Sequence, residues 1–202
     1  MYMKKIVLAI TAMLLMGATV MAQTAQQVLD KCAATVSVSS GVSANFTMNS
    51  AQFGNASGTI SIKGQKFYMH TSATTMWFDG KTLWTYMANN DEVNISTPTA
   101  QQLQTLNPYN FINLYKEGYS ATMTTSAADY QVHLTSTSDK HKIKEAFLLV
   151  DKKTSAPKEI KALMDSKWTI FTISGLKAEN LSDSKFRFNS KDYPDAEIID
   201  LR

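Results

Sequence analysis

The chain has 202 residues, a formal net charge of +3, 44% hydrophobic residues and a single cysteine. Its Lys and Asp/Glu residues are interspersed, which excludes the basic patch or stripe of a nucleic-acid interface. One Cys excludes an internal disulfide.

The first 22 residues have the pattern of a secretory leader. Lys4 and Lys5 form a positive start, Ile6 to Val20 is an uncharged and mostly apolar run, and Val20-Met21-Ala22 fits the small-residue cleavage rule. The run is short for a membrane span. A signal peptide is therefore expected over 1–22, with the mature chain starting at Gln23 and one domain over 23–202. Losing Lys4 and Lys5 takes the formal charge from +3 to +1. No Cys follows the cleavage site, so no lipid attachment is expected. Cys32 lies ten positions on.

Thr24 to about Val36 reads as a helix. Thr24 and Gln27 make a capping box, Val28, Leu29, Cys32 and Val36 recur at helical spacing, and Cys32 is expected to be a buried, inert thiol. Gly41 ends the segment. Then the period changes to two. Val42 to Phe53 alternates Ala44, Phe46 and Met48 against Asn45, Thr47 and Asn49. Ser57 to Lys63 alternates through Ile60 and Ile62, and Lys66 to Thr71 sets Phe67 and Met69 against Tyr68 and His70. Asp79-Gly80 predicts a hairpin on a type I′ turn. Thr82 to Ala88 places Leu83, Thr85 and Met87 on one face and Trp84 and Tyr86 on the other. Glu92 to Ser96 is a further strand.

Thr97-Pro98 predicts a helix start, with Pro at the first helical position. Leu103 and Leu106 lie three apart on this helix, and Asn107-Pro108 stops it. A second short helical segment carries Phe111, Ile112, Leu114 and Tyr115. Strands resume over Tyr119–Thr125, Tyr130–Ser136, Ile143–Asp151, Glu159–Met164 and Trp168–Ser174, the last ending at Gly175. Leu181-Ser182-Asp183 caps a single turn before Phe186 and Phe188, and Glu197 to Leu201 is a candidate last strand. About eleven short, regularly spaced strands with two helical insertions predict one large antiparallel sheet that curls on itself, its helices covering one mouth.

A catalytic constellation is missing from this pattern. His70, His133 and His141 lack a second ligand at metal spacing, and the first two fall opposite the apolar face; all three read as solvated. No G-x-S-x-G elbow or phosphate-cradling Gly loop occurs. Asp91-Glu92 and Asp129 fall in turns, where carboxylates are solvated. The chain is therefore read as a non-enzyme, with no metal and no cofactor.

The informative feature is apolar. In a closed small barrel the abundant Phe, Trp, Tyr and Met would be packed core. A curled eleven-strand sheet encloses more volume than its own side chains fill, and Met48, Met69 and Met87 suit a shape-tolerant apolar site. The cavity-lining candidates are Phe46, Met48, Ile60, Ile62, Phe67, Met69, Trp84 and Tyr86. The lid candidates are Leu103, Leu106, Phe111, Ile112 and Leu114. An acyl chain would gain about 0.8 kcal/mol per buried CH₂ there.

Several motifs in order resemble the periplasmic outer-membrane lipoprotein carrier family, LolA. They are I-x-I-K-G-x-K-F at Ile60 to Phe67, DGKTLW at Asp79 to Trp84, LNPYNF at Leu106 to Phe111, and F-x-F at Phe186 to Phe188 followed by a late Ile-Ile-Asp. The resemblance implies an unclosed half-barrel of antiparallel strands with a short-helix lid. It also implies a soluble periplasmic shuttle that takes lipoproteins from an inner-membrane ABC transporter, shields their acyl chains and passes them to an outer-membrane acceptor, in outer-membrane biogenesis. A monomer is expected. A carrier or sensor of another lipid or glycolipid on the same fold, in envelope maintenance or signalling, is the second reading. Members of the family carry an Arg just after the strand matching Ile60 to Lys63, and it latches the lid. Gly64, Gln65 and Lys66 stand there instead. Gln65 and Lys66 are the latch candidates, though neither offers a guanidinium fork.

Overall fold

The computed structural model describes residues 23–202; the leader predicted over 1–22 lies outside them. Helix α1 spans Ala25–Val36, and the reciprocal Thr24/Gln27 capping box forms at its start. Its Val28, Leu29, Cys32, Ala33 and Val36 are buried. A helix this short is marginal alone, so its stability comes from that face.

One sheet follows, with strands β1 Val42–Ser50, β2 Gly54–Lys63, β3 Lys66–Thr71, β4 Thr74–Phe78, β5 Leu83–Met87, β6 Glu92–Ser96, β7 Tyr119–Thr125, β8 Asp129–Ser136, β9 Ile143–Asp151, β10 Pro157–Met164, β11 Lys167–Ala178 and β12 Glu197–Asp200. All twelve lie in the order β12-β6-β5-β4-β3-β2-β1-β11-β10-β9-β8-β7, and the edges β12 and β7 stay apart. The result is an unclosed curled sheet of twelve strands, one more than about eleven. The extra strand is the short β12, which pairs in parallel with β6.

Period-two patterning sets the two faces. Register aligns Ile62, Phe67, Phe78 and Leu83 across β2 to β5, and Ala44, Ile60, Met69, Met76 and Thr85 in the row below. These are concave. With Phe46, Leu148, Ile160 and Phe171, most of them join the helix faces in one apolar cluster.

Three local readings need correction. The loop at 79–82 has four residues rather than a two-residue type I′ turn. Gly80 takes a positive φ of 101° but Asp79 does not. Instead the Asp79 carboxylate accepts from the backbone N–H of Lys81 and Thr82. Helix α2 runs Ala100–Leu106 with Thr99, not Thr97, as N-cap, because Thr99 finds Gln102 three residues on for a capping box. Gly175 does not end its strand. Gly175 and Leu176 together oppose Ala44 alone, and Gly175 takes the left-handed φ of 62° that such a bulge demands.

The segment after α2, Pro108–Lys116, is a 3₁₀ helix. Its sequence has period three: Phe111 and Leu114, then Tyr109, Ile112 and Tyr115, then Asn110, Asn113 and Lys116. Side chains at i and i+3 eclipse in a 3₁₀ helix, so two columns are mainly apolar and the third is polar. Residues 179–193 then cross the convex face, ahead of β12. Leu181 and Phe186 are buried there, and Phe188 and Tyr193 pack on Trp77.

Candidate functional site

The site is built around α2. Its backbone lies closest to the 3₁₀ segment that follows it, and Leu103 and Leu106 are only half-buried. A cleft flanks each side. One, of about 460 Å³, is lined by Phe67, Phe78, Leu103, Asn107, Asn110 and the exposed Gln65, among others. The other, of about 590 Å³, is lined by Leu83, Pro98, Leu106, Leu201 and Arg202, among others. Each volume falls in the ordinary range for a small-ligand site. Phe67, Phe78 and Leu83 are neighbours in one concave row, so a single apolar floor runs beneath the helix from one cleft to the other.

The concave face brings together six of the eight cavity candidates. Phe46, Ile60, Ile62 and Phe67 are buried, and Met48 and Met69 are half-buried beside them. Trp84 and Tyr86 are not among them. Trp84 pairs with Trp77, which pairs with Tyr68, and Tyr86 pairs with Thr75, so both side chains share the convex face. Tyr86 packs there on Tyr193 and donates to Asp91. Alternation alone could not say which face of β5 turns inward; Phe78 and Leu83 are the concave residues it missed.

The lid candidates also divide. Leu103 and Leu106 sit on α2 between the clefts. Phe111 and Ile112 are 0% exposed and Leu114 1%, inside the core with α1. The Phe111 and Phe171 rings lie 6.1 Å apart. Of the latch candidates, Lys66 turns away. Its Nζ lies 2.8 Å from the Asp183 carboxylate, which Lys63 also contacts at 3.2 Å. Hydrogen bonds from Lys66 and Lys63 hold the Asp183 carboxyl below the usual range. Gln65 remains on the cleft rim. Asn110 Nδ2 donates to the Leu103 carbonyl at 2.8 Å, tying α2 to the 3₁₀ segment.

Each histidine has a protein partner instead of water alone. His70 meets Thr75, His133 meets Glu145 and stacks on Phe147, and His141 meets Ser136 and stacks on Tyr119. Asp129 is half-buried at the start of β8 and paired with Lys158 at 3.0 Å. Among the described residues no group of three or more His, Cys, Asp or Glu side chains could hold a metal. Burial pushes the Cys32 thiol up to about 12.

The Tyr109 hydroxyl is buried with no hydrogen-bond partner among the described residues. Leaving such a group unsatisfied costs about 1–3 kcal/mol. Tyr109→Phe should therefore stabilise the chain by about 1 kcal/mol, seen as a higher urea midpoint at unchanged slope. A lower midpoint would mean that the hydroxyl has a partner in solution.

An unclosed half-barrel whose apolar concave face is covered by short helices defines a class of binding protein. The profile of the family described as outer membrane lipoprotein carrier protein LolA matches residues 16–165, so the chain belongs to that family. The fold is similar to an uncharacterized conserved protein of Thermus thermophilus, with a TM-score of 0.58 at 13% identity over 87% of this chain and 98% of that one. More distant likenesses are a LolA superfamily protein of Nitrosomonas europaea (TM-score 0.45, 12% identity, 82% and 98% covered) and the MucA/MucB complex of Pseudomonas aeruginosa (0.45, 12%, 83% and 62%). No curated protein matches the chain.

Proposed function

We propose that this protein is a periplasmic carrier that shields lipoprotein acyl chains on its concave face and moves them from the inner to the outer membrane. It is a binding protein rather than an enzyme, loaded by an inner-membrane ABC transporter and unloaded at an outer-membrane acceptor. The observation that carries the reading is the apolar floor of Phe67, Phe78 and Leu83 beneath α2, with a cleft on either side. Lifting α2 joins the two clefts over that floor, and half-buried Met69 and Met76 extend it. Family membership supports lipoprotein as the cargo. The movable cover is α2 alone, because the 3₁₀ segment is core.

Binding of a fluorescent acyl probe tests this. Leu103→Glu with Leu106→Glu should weaken binding at least about tenfold, or about 1.4 kcal/mol. The unfolding midpoint should move much less than with Ile62→Glu. Unchanged probe binding removes α2 from the site, and no binding by wild type removes the carrier reading. Mass spectrometry of cargo co-purified from periplasm separates lipoprotein from free lipid.

A further inference from the structure

The two edges of the sheet are treated differently. Edge β12 has four residues and carries Glu197 and Asp200, the shortness and charge by which edges resist pairing. Edge β7, Tyr-Ser-Ala-Thr-Met-Thr-Thr, has seven residues with no charge and no proline.

The hydrogen-bond phase of β7 follows from its ends. Thr137 donates to Gly118 and Ser126 donates to Asp129, and β7 pairs with β8 in unbroken register between them. The residues bonded to β8 are therefore 120, 122 and 124. Tyr119, Ala121, Met123 and Thr125 direct their backbone N–H and C=O groups outward. Among the described residues none of these groups has a partner.

The geometry points to β7 as a homodimer interface, antiparallel to β7 of a second copy about a two-fold axis through Thr122. That register keeps all seven residues in the ladder. It sets Tyr119 opposite Thr125 and Ala121 opposite Met123, so outward-facing backbone meets outward-facing backbone at these pairs, while 120, 122 and 124 stay bonded to β8. A two-fold interface places each group against its own copy's counterpart, which a neutral strand tolerates and a charged one does not. The Ala121 and Met123 side chains, on the concave side, would join the two apolar faces, while Thr122 meets its counterpart on the convex side. This departs from the monomer expected from sequence and does not depend on what the clefts hold.

Disulfide trapping in the full chain tests it. Cys32, the sole native cysteine, is buried. At the axis the two residues 122 would lie about 4.5 Å apart, within disulfide reach. Two residues 124 would be about 13 Å apart. Thr122→Cys should cross-link at least about tenfold faster than Thr124→Cys. Sedimentation of wild type should show a monomer–dimer equilibrium. Thr122→Lys, which sets like charges across the axis, should shift it to monomer, with the unfolding midpoint that wild type shows at concentrations where it is monomeric. A monomer at every concentration, equal cross-linking at both positions, or a dimer indifferent to Thr122→Lys overturns the proposal. So does a monomer whose β7 amides gain exchange protection only from an added extended peptide, which would make the edge a site for a different partner.

Discussion

Phe111→Ala should destabilise the folded chain by about 4 kcal/mol, while Leu106→Ala, five residues earlier, should cost about 1 kcal/mol. The contrast follows from where the two side chains end. Phe111 is 0% exposed, in the cluster that holds α1 against the sheet, with its ring 6.1 Å from that of Phe171. Removing the ring loses transfer energy and leaves a hole that the surrounding strands cannot close. A domain is stable by about 5–15 kcal/mol, so the loss is a large part of the total. Leu106 is half-buried on α2 and borders a cleft that already exists. Its truncation enlarges the cleft without emptying the core. Urea unfolding of the two variants decides: similar small costs would mean that the 3₁₀ segment moves with α2 as one lid.

That division was only partly legible in the sequence. Apolar spacing marked both segments as amphipathic, and nothing in Leu103, Leu106, Phe111 or Leu114 alone says which leucine meets a cleft. One signal was available. The period of three over residues 109–116 points to a 3₁₀ helix with two inward columns, hence to a more buried element than α2. Strand positions were legible because alternation is imposed by the pleat, and β3, β6, β7 and β9 start and end where the pattern does. The inward face of β5 was not. Leu83 and Trp84 are both large and apolar, and residues 179–193 give the convex face an apolar cover of its own. Trp84 and Tyr86 therefore look like core from the strand alone; Tyr193, more than a hundred residues later, explains Tyr86. The fate of Lys66 was hidden for the same reason, since its partner Asp183 lies in that late segment. At Gly175 the sequence showed a strand breaker, and only the register against β1 shows a bulge that the strand passes through.

Gly58→Ala, the addition of one methyl group, should cost about 3 kcal/mol. Gly58 lies in β2, opposite Phe46 of β1 and Thr71 of β3. A Cβ at this position would sit 1.9 Å from the His70 carbonyl oxygen. That atom is backbone, so no rotamer change relieves the contact, and β2 must part from β3 where they pair through Thr59 and His70. Glycine in a strand interior often marks such an approach. The damage should spread along the ladder. Two and four residues on, Ile60 and Ile62 pair with Met69 and Phe67, the latter part of the floor beneath α2. The variant should therefore lower the urea midpoint and also weaken acyl-probe binding, although Gly58 lines neither cleft. A variant within about 0.5 kcal/mol of wild type, the range of an ordinary surface change, would show that β2 and β3 have room there.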